Sequence, residues 1–99
     1  MITFYRSASI APGKNSSTFA FAHEIASYIK DKTGVTVKVA VPVGGNPNRI
    51  AWSVQYENLG ALEAQQIKLM ADAKYMEIVA KSADNFIAGS VRDEIWRSI

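Results

Sequence analysis

The stretch Val35–Tyr56, VTVKVAVPVGGNPNRIAWSVQY, decides the fold. Its first half sets Val35, Val37, Val39, Val41 and Val43 against Thr36, Lys38, Ala40 and Pro42. A period of two collects those valines on one side only if the chain is extended, so 35–43 reads as a strand. Gly44-Gly45-Asn46-Pro47-Asn48 is turn chemistry throughout. Ile50, Trp52, Val54 and Tyr56 then alternate with Ala51, Ser53 and Gln55, a second strand. The short connection makes the two an antiparallel hairpin, with a loop longer than the tightest two-residue turn.

Working outward, Met1–Ile10 (MITFYRSASI) is rich in β-branched and aromatic residues and is ended by Pro12-Gly13, so a strand precedes the hairpin. Between them, Asn15-Ser16-Ser17-Thr18 supplies N-cap oxygens, and Thr18, Phe19, Ala22, Ile25, Ala26 and Ile29 follow at helical spacing. Gly34 is placed to stop that helix. Beyond the hairpin, Asn58 caps a helix with Leu59, Leu62, Gln66, Leu69 and Met70 on one face. Past Asp72 the apolar set migrates to Tyr75, Ile78 and Val79, which predicts a break and re-cap at Asp72 and a short helix from Ala73 to about Ala83. A last strand is expected within Gly89–Ser98, with Val91, Ile95 and Ile99 set against Arg92, Glu94, Trp96 and Ser98. The order β-α-β-β-α-β predicts an α+β, ferredoxin-like domain over residues 1–99: a four-stranded antiparallel sheet with helices on one face.

Composition narrows the chemistry. Ninety-nine residues, 48% hydrophobic and 20% charged, suit one compact domain with one core. There is no cysteine, so thiol catalysis and cysteine-held metal are excluded, and the single histidine, His23, leaves little for a transition metal. The eleven lysines and arginines are scattered among nine acids for a net charge of +2, which is no basic stripe for nucleic acid. The frame Arg49–Tyr56 has the outline of an RNA-binding strand, but the positions that must stack bases hold Ala51 and Ser53. No apolar run approaches the ~18 residues of a membrane span, and Met1–Ile10 lacks the form of a signal peptide. A cytoplasmic protein with no metal, cofactor, nucleic-acid or membrane partner is the expectation.

Two helices cover one sheet face. If Trp52, Val54 and Tyr56 meet them, then Arg49, Ala51, Ser53, Gln55 and Glu57 face away, joined by Thr36, Lys38 and Ala40. That second face is small and semi-polar, suited to packing on a second copy of itself. For the first strand, Ile2/Phe4 and Thr3/Tyr5 are nearly balanced, so its inner side is left open.

The element order, the run NRIAWSVQYE (48–57) into LGALEAQQIKLMADAKYMEIV (59–79), the Asp72 break and the final GSVRDEIWRSI (89–99) together resemble the dimeric α+β barrel superfamily, and within it the NIPSNAP-like and related small barrel proteins. The resemblance implies a homodimer whose two sheets close a barrel. Its members include cofactor-free monooxygenases, haem-degrading enzymes and stress-response proteins, besides many without a known activity. The haem-degrading members carry an axial histidine on the second helical region, where this chain has none.

The aromatics offer a pocket between sheet and helices for a small apolar or aromatic ligand, with Arg6 or Arg92 as an anion-binding tip. The candidate ligand-binding residues are Tyr5, Arg6, His23, Trp52, Tyr56, Arg92 and Trp96. Against this stand a filled aromatic core, ion pairs of the arginines with Asp93 or Glu94, and a solvated His23. Three functions follow: a homodimeric ligand binder, a cofactor-independent monooxygenase-like enzyme, or an interaction module without pocket chemistry. Gly44-Gly45 precedes a strand rather than a helix, and Ser16-Ser17-Thr18 lacks an activating base, so neither is a catalytic motif.

Overall fold

The computed structural model describes residues 1–99. Four strands form one antiparallel sheet: β1 (Ile2–Ser9), β2 (Lys38–Ala40), β3 (Arg49–Tyr56) and β4 (Arg92–Arg97), in the order β2-β3-β1-β4. The helices are α1 (Asn15–Thr33), α2 (Leu59–Met70) and α3 (Ala73–Lys81), followed by a 3-10 turn at Ala83–Asn85. This is the ferredoxin-like arrangement, with each βαβ crossover split by an intervening strand.

The open question on β1 is answered by its register. Phe4 pairs with Val54, Arg6 with Trp52 and Ala8 with Ile50. The even residues of β1 and β3 therefore share the helix side, where Ile2, Ala8, Ile50 and Val54 are buried. From α1, Ala22, Ile25 and Ile29 meet them at the expected spacing, with Ile78 of α3 packed on Ile25 and Ile29. Gly34 ends α1 with a left-handed φ of 76°, its N–H donating to the Lys30 carbonyl. The break at Asp72 is also as the pattern requires: its carboxylate accepts the Tyr75 N–H at 3.0 Å and starts α3, while the Asn58 side chain does the same for α2 from Ala61.

Several local expectations differ. β2 holds three residues, not nine: Val35 and Val37 pack against the core before the strand, while Val41 and Val43 are exposed after it. β2 is an edge strand, and Pro42 has no N–H to extend the ladder beyond Ala40. The α1 N-cap is Lys14, and the Ser17 hydroxyl donates to Asn85 Oδ1 at 2.8 Å, with the Lys14 carbonyl 3.1 Å away, instead of capping the helix. On α2 the buried polar residue is Gln65 rather than Gln66, because its amide donates to Thr33 Oγ1 at the end of α1. α3 stops at Lys81, two residues early, where Ser82 begins the 3-10 turn.

The largest difference concerns β4. It is exposed along its whole length, and Val91, Ile95 and Ile99 point into no core. β4 pairs only with β1, at the sheet edge farthest from β2, and α3 ends before covering it. The fold thus leaves two uncovered surfaces: the whole far side of the sheet, and a shelf on the helix side along β1 and β4.

Candidate functional site

On the helix side the registers lay out three cross-sheet rows. The first runs Val39–Trp52–Arg6–Asp93, the second Val54–Phe4–Ile95, and the third Tyr56–Ile2–Arg97. The β2 end of the first row is filled. Phe21, Trp52 and Phe86 pack edge to face with ring centroids 6.0–6.1 Å apart, which closes the space between α1 and the sheet. The β4 end is open. There Arg6 and Asp93 form a two-pronged pair, Nε to Oδ1 at 2.7 Å and Nη2 to Oδ2 at 2.8 Å, with both side chains a little over 40% exposed. The guanidinium also lies 5.5 Å over the Phe4 ring.

Tyr75 of α3 borders this shelf, near enough for its phenol and the Arg6 guanidinium to influence one another. Burial pushes the Tyr75 and Tyr56 phenols up, so both remain protonated donors at neutral pH. The hydrogen bond to Asp93 holds the Arg6 guanidinium still more firmly charged. Behind the shelf, the Tyr28 hydroxyl shares its one proton between the two Asp72 oxygens, each 2.8 Å away, and ties α1 to the α2–α3 junction. Trp52 Nε1 is buried without an acceptor, as is the Thr18 hydroxyl on α1. An unpaired buried N–H is costly, and this one is enclosed by the aromatic cluster rather than turned to the open shelf.

The seven residues expected to line one pocket divide among three places. Arg6, Trp52 and Tyr56 share the helix side. Tyr5, Arg92 and Trp96 lie on the far side of the sheet, since odd residues of β1 and even residues of β4 face away from the helices. His23 is exposed on α1, outside the helix face buried through Thr18, Ala22, Ile25 and Ile29. The far side carries a shallow hollow of about 570 Å³ lined by Tyr5, Ser7, Arg49, Arg92, Glu94 and Trp96 among others. A second hollow of about 430 Å³ lies between the end of β1, the start of α1 and the 44–48 turn. Tyr75 was legible in the sequence only as part of an apolar helix face; its place beside Arg6 depends on where α3 crosses the sheet.

No cluster of three or more histidine or acidic side chains is placed to hold a metal ion. No helix is long and apolar enough to cross a membrane.

No family model matches the chain, and no curated protein sequence does either. Solved structures do. An uncharacterized NIPSNAP domain protein from Burkholderia xenovorans superposes with a TM-score of 0.85 at 14% identity, over 100% of this chain and 95% of that one. A NIPSNAP family protein of unknown function from Agrobacterium tumefaciens gives 0.82 at 16% identity, over 99% and 87%. The likeness shows the fold. A Nitrosomonas europaea protein described as a candidate antibiotic biosynthesis monooxygenase shares this NIPSNAP-like fold, with a TM-score of 0.76 at 15% identity over 100% of this chain and 99% of that one.

Proposed function

We propose that two copies of this chain pair through their far sheet faces, closing an α+β barrel, and that each copy holds a small aromatic molecule on its helix-side shelf. The observation that carries the pairing is the layout of the far face. One row runs Lys38–Ser53–Tyr5–Glu94 and the next Ala40–Ala51–Ser7–Arg92. A two-fold axis lying in the interface parallel to the strands reverses each row. Lys38 then meets the partner's Glu94 and Arg92 settles over the partner's Ala40, while Trp96, in the row of Thr3 and Gln55, covers the β2 end of that row beyond the partner's Gln55. Tyr5 and Trp96, 43% and 60% exposed, lose water on both copies. Strands of eight, three, eight and six residues, at ~3.3 Å per residue and ~4.8 Å apart, give a face of about 400 Å² in plan, so side-chain relief and the segments flanking β2 and β4 must supply the rest of the ~800 Å² per partner of a stable dimer.

Charge exchange tests this pairing. Lys38→Glu and Glu94→Lys each place like charges opposite one another and weaken self-association in sedimentation equilibrium. Mixing the two variants restores both opposite-charge pairs, so a heterodimer forms. A mixture that associates no better than either variant alone contradicts the pairing.

The shelf supports the ligand reading through its chemistry. Phe4 and Ile95 offer apolar flats, the Tyr56 and Tyr75 phenols offer donors, and Arg6 has half its charge-bearing edge occupied by Asp93. Such a surface favours a flat, neutral, oxygen-bearing aromatic over a carboxylate. With 2-naphthol as the probe, saturable quenching of tryptophan emission that Phe4→Ala weakens at least tenfold is the expected result; no saturable binding leaves the interaction-module reading.

The monooxygenase-like alternative draws on the likeness to the Nitrosomonas europaea protein. The strands of the shelf carry no histidine and Asp93 is engaged by Arg6, which favours binding over turnover. Dioxygen uptake dependent on protein and on a dihydroxynaphthalene would favour the alternative.

A further inference from the structure

Arg49 of β3 and Arg92 of β4 flank Ser7 on the far face from the two strands beside β1. Arg49 Nη2 donates to Ser7 Oγ at 3.2 Å, and Arg92 is the residue paired with Ser7 across the β1–β4 ladder. Both arginines are exposed, and neither has a carboxylate partner; the chain's ion pairs are Arg6–Asp93 and Lys81–Glu77. All three residues line the 570 Å³ hollow of the far face. Its one acid, Glu94, accepts the Trp96 indole N–H at 2.8 Å and is the residue that Lys38 of a second copy would neutralise. Arg97 also lines the hollow, so closing two such faces would place six guanidiniums, three from each copy, in a confined, partly dewatered space, where repulsion is screened less than in bulk water.

We propose that the Arg49–Ser7–Arg92 cluster is an oxyanion site, and that a phosphate- or carboxylate-type anion taken up there strengthens the pairing of two copies. The two planar guanidinium forks and the serine hydroxyl supply the donors that such an oxygen triad needs. The inference rests on the dimer proposed above and adds a ligand to its interface.

The dimer dissociation constant, measured by sedimentation equilibrium in chloride and in inorganic phosphate at equal ionic strength, tests it. With one cluster per copy and phosphate held by the dimer alone, phosphate at ten times its dissociation constant tightens association about tenfold for each site, or on the order of a hundredfold for both. Arg92→Gln and Arg49→Gln, at exposed positions where far-ultraviolet dichroism confirms the fold, abolish the phosphate effect. A dimer equally tight in both salts, or a phosphate effect that survives both substitutions, overturns the oxyanion site and leaves the dimer standing. A chain that stays monomeric in both salts overturns the dimer and the linked site together.

Discussion

Replacing Ile50 by alanine tests the side assignment on which both surfaces depend. Ile50 is 1% exposed, opposite Ala8 and against Ile10 and Ala22, with Val39, Trp52 and Phe86 around it. The change removes three carbons. At ~0.8 kcal/mol for each buried carbon, the transfer loss is about 2.4 kcal/mol, and the unfilled cavity raises it to roughly 3–4 kcal/mol. A chain of this length has about 5–15 kcal/mol in total, so the melting temperature falls by roughly 12–30 °C. Tyr5→Ala, one strand away on the far side, costs under ~1 kcal/mol in a monomer because the ring is already half in water. Urea unfolding followed by circular dichroism, at several protein concentrations, separates the two: the Ile50 loss is independent of concentration, and the Tyr5 loss grows with it. An Ile50→Ala cost below ~1 kcal/mol beside a larger, concentration-independent Tyr5→Ala cost would refute the assignment of even residues to the helix side.

Other expectations follow from individual contacts. The Tyr75 N–H, then the Tyr28 hydroxyl, hold the Asp72 carboxyl below its usual range. A depressed carboxyl contributes stability above its unfolded pKa and loses it as pH falls through the folded one. Wild-type stability therefore drops below about pH 4, and Asp72→Asn flattens that part of a pH–stability profile. Gly34→Ala, at φ 76°, costs ~1–2 kcal/mol by urea unfolding, although space around the added carbon is open. Asp93→Asn changes stability by less than ~1 kcal/mol because the pair is half exposed, but it frees the Arg6 charge. By calorimetry, 2-naphthoate then gains affinity relative to 2-naphthol; unchanged preference would contradict the shelf's proposed selectivity.

The hairpin, the two later helix caps and the Asp72 break were legible because each rests on local chemistry: alternation, an Asx oxygen before a helix, a glycine after one. The length of β2 was not, since five alternating valines describe a face while Pro42 and the edge position decide where pairing ends. β4 misled for a related reason. Ile95 and Val91 have the spacing of inward residues, but only the path of α3 determines that nothing covers them. The candidate site shows the same limit: Arg6, Trp52, Tyr5 and Trp96 were identifiable as residue types, whereas their division between two faces depends on a one-residue register that Ile2/Phe4 and Thr3/Tyr5 could not set. The ion pair to Asp93 was legible as a choice between two acids and was decided by the ladder, which sets Asp93 directly opposite Arg6 and turns Glu94 away.

The chain has no cysteine, so Ser53→Cys introduces a single attachment point in the far face without other changes. Spin-labelling that position and measuring electron–electron distances asks directly whether two far faces meet. Sheets stack about 10 Å apart, so the account predicts a defined intermolecular distance under ~30 Å for the label at Ser53. A labelled sample with no intermolecular coupling at concentrations of tens of micromolar would contradict it.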